Sequence, residues 1–143
     1  MTQGADARTI AVLIVEDRPV ARKVLETELG EADDLRVAGF AKNGREAIER
    51  VKELSPDVVI MDIVMPEMDG LTALAEIRKF SDVPVIMLSG SHENAETLQH
   101  LAKKRGADAF FLKPSGPVSV DLYRIKDELV ATIRDVVARE RAA

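Results

Sequence analysis

Hydrophobic residues are concentrated in five short runs, and the longer stretches between them carry apolar residues at helical spacing. The runs are residues 10–15, 35–41, 58–61, 83–88 and 109–112. Valine, isoleucine and leucine dominate the first, third and fourth runs, which is typical of parallel strands buried on both faces. Arg36 and Gly39 interrupt the second run, as expected of a strand at the edge of a sheet.

The stretches between the runs predict five helices. Pro19 stands where a first helical turn would begin, and Gly30 is placed to end the first helix. The last helix is predicted to run from about Asp121 to Arg141. Because strand and helix alternate five times, we expect an α/β protein in which helices cover both faces of a parallel sheet.

The composition is that of one compact domain. The 143 residues are 46% hydrophobic and 31% charged, the balance of a soluble protein with a full core. We expect a disordered tail at residues 1–8 and a single domain at residues 9–138. Residues 139–143 are interpreted as the end of a long last helix or as a linker.

Several classes of function are disfavoured by charge and residue content. The net charge is −5 and the basic residues are not gathered together, so direct nucleic-acid binding is not expected. The chain has no cysteine, which excludes disulfides, zinc–thiolate sites and thiol nucleophiles. No apolar run is long enough to cross a bilayer, and Met1 to Arg8 lacks the apolar core of a signal peptide, so we predict a cytoplasmic protein without membrane contact.

Polar residues occur at the ends of four of the five predicted strands. Glu16 and Asp17 follow the first run, Asp62 the third, Ser89 the fourth and Lys113 the fifth. The carboxyl ends of parallel strands share one edge of a sheet, and ligands bind there at the point where the strand order reverses. If the order is 2-1-3-4-5, that point lies between the first and third strands, beside the three carboxylates.

This set of residues suggests metal-assisted phosphoryl chemistry. Three neighbouring carboxylates repel one another, and a bound cation would relieve the repulsion. Oxygen ligands favour Mg²⁺ over zinc. Lys113 and Ser89 could neutralise and orient a phosphoryl group, while one carboxylate attacks it to form an acyl phosphate.

Each residue also has an ordinary structural explanation. An aspartate after a strand, such as Asp62, is more often a turn former or a helix cap. Ser89 alone would more often be a cap, and Lys113 alone a solvated surface residue. Their joint placement favours the functional interpretation.

Four segments resemble the response-regulator receiver domain in order and spacing. They are VLIVED, DVVIMDIVMPEMDG, VPVIMLSG and ADAFFLKP. The resemblance extends from about Thr9 to Ala138. It implies a flavodoxin-like, doubly wound, five-stranded parallel sheet of order 2-1-3-4-5 with five helices. It also implies that Asp62 accepts a phosphoryl group from the phosphohistidine of a histidine kinase.

The resemblance assigns roles to the other residues. It implies that Asp17 ligates Mg²⁺, or Mn²⁺, directly, that Glu16 helps through water, and that the backbone carbonyl of Val64 is a further ligand beside Asp62. The Lys113-Pro114 peptide bond is similar to one that is often cis in the family.

By the same resemblance, Ser89 and Lys113 bind the phosphoryl group, and Ser89 and Phe110 form the conformational switch. The alternative for Phe110 is an ordinary core aromatic.

The chain departs from the family pattern at several positions. Glu16 replaces the commoner aspartate, and Ser89 the commoner threonine. Val64 carries no polar group to position a hydrolytic water, and Ser91 is neither acidic nor amide-bearing, so we hypothesise slow loss of the phosphoryl group.

The segment SGPVSVDLYRIKDEL after Lys113-Pro114 resembles the receiver end and linker of chemotaxis methylesterases. The chain has no G-x-S-x-G elbow, so we expect no hydrolase activity in it. The expected partners are a histidine kinase and an unknown output domain or target, with the chain a monomer or a phosphorylation-dependent homodimer. One alternative is a Mg²⁺-dependent phosphotransfer enzyme or hydrolase, which is disfavoured because such phosphatases need a second acid where Val64 stands. The other alternative is a degenerate receiver that only makes protein contacts.

Overall fold

The computed structural model of the chain describes residues 9–90, 93–113 and 125–142, and within these ranges five strands alternate with five helices. The elements are β1 (Ile10–Val15), α1 (Pro19–Gly30), β2 (Leu35–Ala41), α2 (Gly44–Leu54), β3 (Val58–Asp62), α3 (Gly70–Ile77), β4 (Val85–Ser89), α4 (Ala95–Lys104), β5 (Ala109–Leu112) and α5 (Lys126–Ala142). The strands form one parallel sheet of order β2-β1-β3-β4-β5. The fold and strand order implied by the resemblance are confirmed.

The sheet lies between two aliphatic clusters. Leu25 of α1 and Ile133 of α5 pack on one face, whereas Val51 of α2, Leu74 of α3 and Ala102 of α4 pack on the other. Every residue of β1, β3 and β4 is buried, as the continuous apolar runs predicted. The strands β2 and β5 are only partly buried because they are the two edges of the sheet.

The ends of β3 and β4 differ by a residue or two from the predicted runs. Val83 and Pro84 were included in the fourth run but precede β4. Proline has no backbone N–H to donate to a ladder, although the Pro84 carbonyl still accepts a hydrogen bond from Val59 N at 2.9 Å. Asp62 and Ser89, predicted to follow strands, are the final residues of β3 and β4. The backbone of both residues is therefore part of the sheet.

The last helix ends one residue beyond the predicted position, at Ala142. Its predicted start at Asp121 lies outside the described residues, as do the predicted tail at residues 1–8 and the Lys113-Pro114 bond. In the described ranges, no helix combines the length and the apolar character needed to cross a bilayer.

Candidate functional site

Three carboxylates meet at the carboxyl edge of the sheet. Glu16 and Asp17 follow β1, and Asp62 ends the neighbouring strand β3. One carboxylate oxygen from each residue lies within 4.8 Å of the others. The chain reverses its strand order at β1, with β2 on one side and β3 on the other, so the cluster occupies the crevice where α/β sheets bind ligands.

A buried lysine bridges two of the carboxylates. Lys113 Nζ lies 3.2 Å from Glu16 Oε1 and 3.3 Å from Asp62 Oδ2. Lys113 is 5% exposed, so it is not a solvated surface residue. Its backbone N donates a hydrogen bond of 2.8 Å to the carbonyl oxygen of Ser89, which is itself fully buried at the end of β4. The structure thus brings Ser89 and Lys113 to the same edge as the acids.

The local structure around Asp62 holds its carboxylate in place. Asp62 Oδ1 accepts a hydrogen bond from Ile63 N at 2.8 Å, while Oδ2 faces Lys113. Asp62 does not cap the following helix, because that role belongs to Asp69, whose Oδ1 accepts from Thr72 N at 2.8 Å. The cap alternative considered for Asp62 is therefore wrong.

Two arginines at the start of α1 also contact the acidic segment. Arg18 donates to Glu16 Oε2 from its backbone N at 3.1 Å and from Nε at 3.4 Å. Arg22 Nη1 donates to the carbonyl oxygens of Glu16 at 2.8 Å and Asp17 at 3.2 Å. Neither arginine was predicted. The available signal was the cation at position 18, immediately before the first helical turn, where the helix dipole disfavours positive charge.

Burial and mutual repulsion shift the acids in different directions. Burial raises the pKa of Asp62 to about 6, with the charge of Lys113 opposing the rise and that of Glu16 adding to it. Burial, together with the hydrogen bond and charge of Glu16, also raises the pKa of Asp17. Burial acts to raise the pKa of Glu16 as well, but Lys113 and Arg18 outweigh it and lower that pKa. Ionisation of Asp17 and Asp62 is therefore unfavourable unless a further cation binds nearby.

The donor set fits a hard divalent cation. The three residues offer only carboxylate oxygens, which Mg²⁺ and Mn²⁺ prefer. A bound cation would relieve the electrostatic repulsion between these neighbouring carboxylates. Glu16, Asp17 and Asp62 would hold such an ion. Val64 lies two residues after Asp62 and is 67% exposed, and the role of its carbonyl as a ligand stays a prediction.

Two backbone hydrogen bonds donated by glycines hold the loop that carries Val64. Gly70 N donates to Ile63 O at 2.8 Å, and Gly44 N donates to Met68 O at 2.8 Å. A side chain at Gly70 would collide with the carbonyl oxygen of Asp62 and lie 2.9 Å from Met87 Cε. This close approach explains why glycine begins α3 directly behind the acidic cluster.

Phe110 lies on β5 beside Met87 of β4 and is partly buried against the apolar cluster that α2, α3 and α4 cover. Its switch role stays a prediction. Ser91 lies outside the described residues.

The chain is similar to one known protein family and to several longer enzymes. The family model for the response regulator receiver domain matches residues 12–121. The protein-glutamate methylesterase/protein-glutamine glutaminase of Geobacillus kaustophilus is 43% identical over 126 residues, covering 88% of this chain and 36% of the relative. Its Bacillus subtilis namesake is 39% identical over 124 residues, covering 87% of this chain and 35% of the relative. The chain therefore spans only about a third of these relatives.

Solved structures show the same similarity. The response regulator domain of Thermotoga maritima CheB superposes with a TM-score of 0.83 at 39% identity, over 92% of this chain and 98% of that one. A chain of the CheX–CheY–BeF3–Mg²⁺ complex from Borrelia burgdorferi superposes with a TM-score of 0.75 at 29% identity, over 92% of each chain. With the acidic cluster, the buried lysine and the sheet order already established, these matches show that the chain belongs to the response regulator receiver domain family, the phosphoacceptor switches of two-component signalling.

Proposed function

We propose that Asp62 receives a phosphoryl group from the phosphohistidine of a histidine kinase, in a reaction that requires Mg²⁺ at Glu16, Asp17 and Asp62. The observation that carries this proposal is the buried cluster of three carboxylates within 4.8 Å, to which Lys113 adds a cation 3.3 Å from Asp62. A receiver that only made protein contacts would have no need of this costly set of buried charges.

The residues of the chain suit an in-line transfer. An ionised oxygen of Asp62 attacks phosphorus, the bond between phosphorus and the donor imidazole nitrogen breaks, and that nitrogen keeps the electron pair. Because the pKa of Asp62 is about 6 in the absence of a cation, the nucleophile is mostly ionised at neutral pH. When bound, Mg²⁺ would neutralise negative charge on the carboxylates and the phosphoryl oxygens.

The two remaining groups would hold the product. The ammonium of Lys113, already directed at Asp62, would pair with one phosphoryl oxygen. The hydroxyl of Ser89, at the end of the strand beside β3, would donate to another. We propose that these contacts favour an alternative conformation of Ser89 and Phe110, so that phosphorylation shifts a population that already exists.

The similarity to methylesterases indicates a chemotaxis-type pathway. We propose that the phosphorylated domain controls a methylesterase/glutaminase catalytic unit or a separate chemotaxis partner, because the relatives that match at 39–43% identity are such enzymes. Their hydrolase activity is not proposed for these 143 residues, which lack a G-x-S-x-G elbow. The only chemistry proposed for the chain is its own phosphorylation and dephosphorylation.

Incubation with Mg²⁺ and acetyl phosphate, followed by intact-mass measurement, tests the proposed function. We expect one added phosphoryl group, lost when Mg²⁺ is chelated and lost in Asp62→Asn. Wild-type protein that gains no phosphoryl group would contradict the proposal.

The lifetime of the phosphoryl group is a separate prediction. Val64 offers no polar side chain to position water, so we expect the phosphorylated protein to persist for minutes or longer after the donor is removed. A lifetime of seconds in the same mass assay would contradict this expectation.

A further inference from the structure

Arg18 is a half-exposed cation with one contact inside the acidic cluster. Its side chain is 46% exposed, whereas its partner Glu16 is 1% exposed. The guanidinium Nε lies 3.4 Å from Glu16 Oε2, a long contact, and the backbone N of the same residue lies 3.1 Å from that oxygen. The family resemblance gives this residue no role.

Protein groups therefore occupy both oxygens of Glu16. Oε1 pairs with Lys113 at 3.2 Å and Oε2 with Arg18. Lys113 also pairs with Asp62, so its charge is shared between two acids. A divalent cation entering the cluster would meet one carboxylate whose negative charge is already neutralised from both sides.

We propose that Arg18 is a positioning residue that competes with the divalent cation for Glu16 and so weakens cation binding. The inference rests on the proposed Mg²⁺ site. It requires only a side-chain exchange, because Arg22 binds the main-chain carbonyls of Glu16 and Asp17 and holds the segment in place. The guanidinium of Arg18 can turn toward solvent at little cost, since it is already half-exposed and its Nε contact is long.

The competing explanation is an ordinary surface ion pair without effect on the metal. Such pairs contribute little because both partners remain solvated. Here one partner is buried within the cation cluster, so losing the guanidinium leaves that cluster more negative. The two explanations predict different cation affinities.

Isothermal titration calorimetry with Mg²⁺ at fixed ionic strength distinguishes them. We expect Arg18→Met to lower the Kd for Mg²⁺ by about three- to tenfold, the range for loss of one partly screened charge. Arg18→Lys keeps the charge and should stay close to wild type. The control is Arg36→Met, which removes an exposed arginine of β2. Arg36 lies opposite Ala11 in the strand register, at the end of β1 away from the site, so the Kd should stay unchanged.

A second background tests whether the effect acts through Glu16. In Glu16→Gln protein there is no carboxylate to compete for, so adding Arg18→Met should change the Kd by less than about twofold. An unchanged or raised Kd in Arg18→Met alone would overturn the inference while leaving the proposed function intact. An equal gain in the Glu16→Gln background would also overturn it, because the effect would then be general electrostatics. Wild-type protein that binds no Mg²⁺ would overturn both this inference and the proposed function.

Discussion

At the scale of single residues, Asp62 combines deep burial with an unfavourable charge. It is 5% exposed, and burial raises its pKa to about 6. Because this pKa is higher in the folded than in the unfolded protein, Asp62 favours folding at low pH, and that contribution is lost as the pH rises through about 6. At neutral pH without a cation, the ionised side chain therefore destabilises the fold.

We predict that Asp62→Asn makes the metal-free protein more stable at pH 8, by about 2 kcal/mol, because the amide is never ionised. Urea unfolding in the presence of a chelator measures the change. The gain should shrink at pH 4, where Asp62 is protonated in the folded wild type. A less stable mutant at pH 8 would show that Lys113 compensates the charge fully.

The sequence predicted which residues meet at the site but not how they are paired. The positions of Glu16, Asp17 and Asp62 follow from where the strands end, since parallel strands share an edge. The double pairing of Lys113 depends on the reach of its side chain from β5 past the end of β4, which no spacing reveals. Arg18 was missed because a single cation before a helix resembles a surface residue.

At the scale of elements, the approach of α3 to β3 fixes the position of the acidic cluster. Gly70 begins α3, and its backbone lies directly against Asp62 and Met87. In the sequence, Gly70 is the last residue of the segment DVVIMDIVMPEMDG, which resembles the receiver family. Its physical reason, the lack of space for a Cβ, is visible only once the helix is packed on the sheet.

We predict that Gly70→Ala lowers the free energy of unfolding by about 2–4 kcal/mol, because the methyl group would push α3 away from the backbone of Asp62. Thermal or urea unfolding measures the loss. Gly30→Ala is the matched control, since a Cβ at Gly30 would meet nothing within 4 Å, and it should leave stability unchanged or slightly raised. Equal stability of the two variants would contradict the packing argument.

Within residues 9–90, 93–113 and 125–142, the sequence located each element but not each boundary or cap. The alternation of runs and helical stretches correctly identified the five strands and five helices of these ranges. Caps such as Asn43, whose Oδ1 accepts from Glu46 N at 2.8 Å while Glu46 accepts from Lys42 N at 3.0 Å, were not predicted. Such side-chain capping depends on rotamers rather than on hydrophobic periodicity.

At the scale of the whole molecule, ion pairs between residues far apart in the sequence join α5 to the rest of the domain. Arg134 of α5 donates to both oxygens of Asp34 at 2.8 and 2.9 Å, and Lys126 pairs with Glu31 after α1. These contacts join residues about a hundred positions apart and could not be predicted from local patterns. Likewise, the hydrophobic runs separate central from edge strands but do not specify the strand order, which came from the family resemblance.

We predict that Arg134→Met lowers the free energy of unfolding at pH 7 by less than about 1 kcal/mol, because the pair is exposed. The hydrogen bonds from Arg134 lower the pKa of Asp34, so the contribution is present above the ordinary pKa of an aspartate and is lost as the pH falls below it. Urea unfolding at pH 7 and pH 3 measures both effects. The control is Arg139→Met, which removes an ion pair within α5 and should lower the free energy of unfolding by less than Arg134→Met does.

The central claim is that Asp62 itself carries the phosphoryl group, and chemical mapping tests it most directly. After phosphorylation with acetyl phosphate and Mg²⁺, borohydride reduces an aspartyl phosphate to homoserine, which peptide mass spectrometry locates. We predict homoserine in place of Asp62 and nowhere else. Reduction product at Asp17, or phosphorylated protein with Asp62 unmodified, would contradict the account.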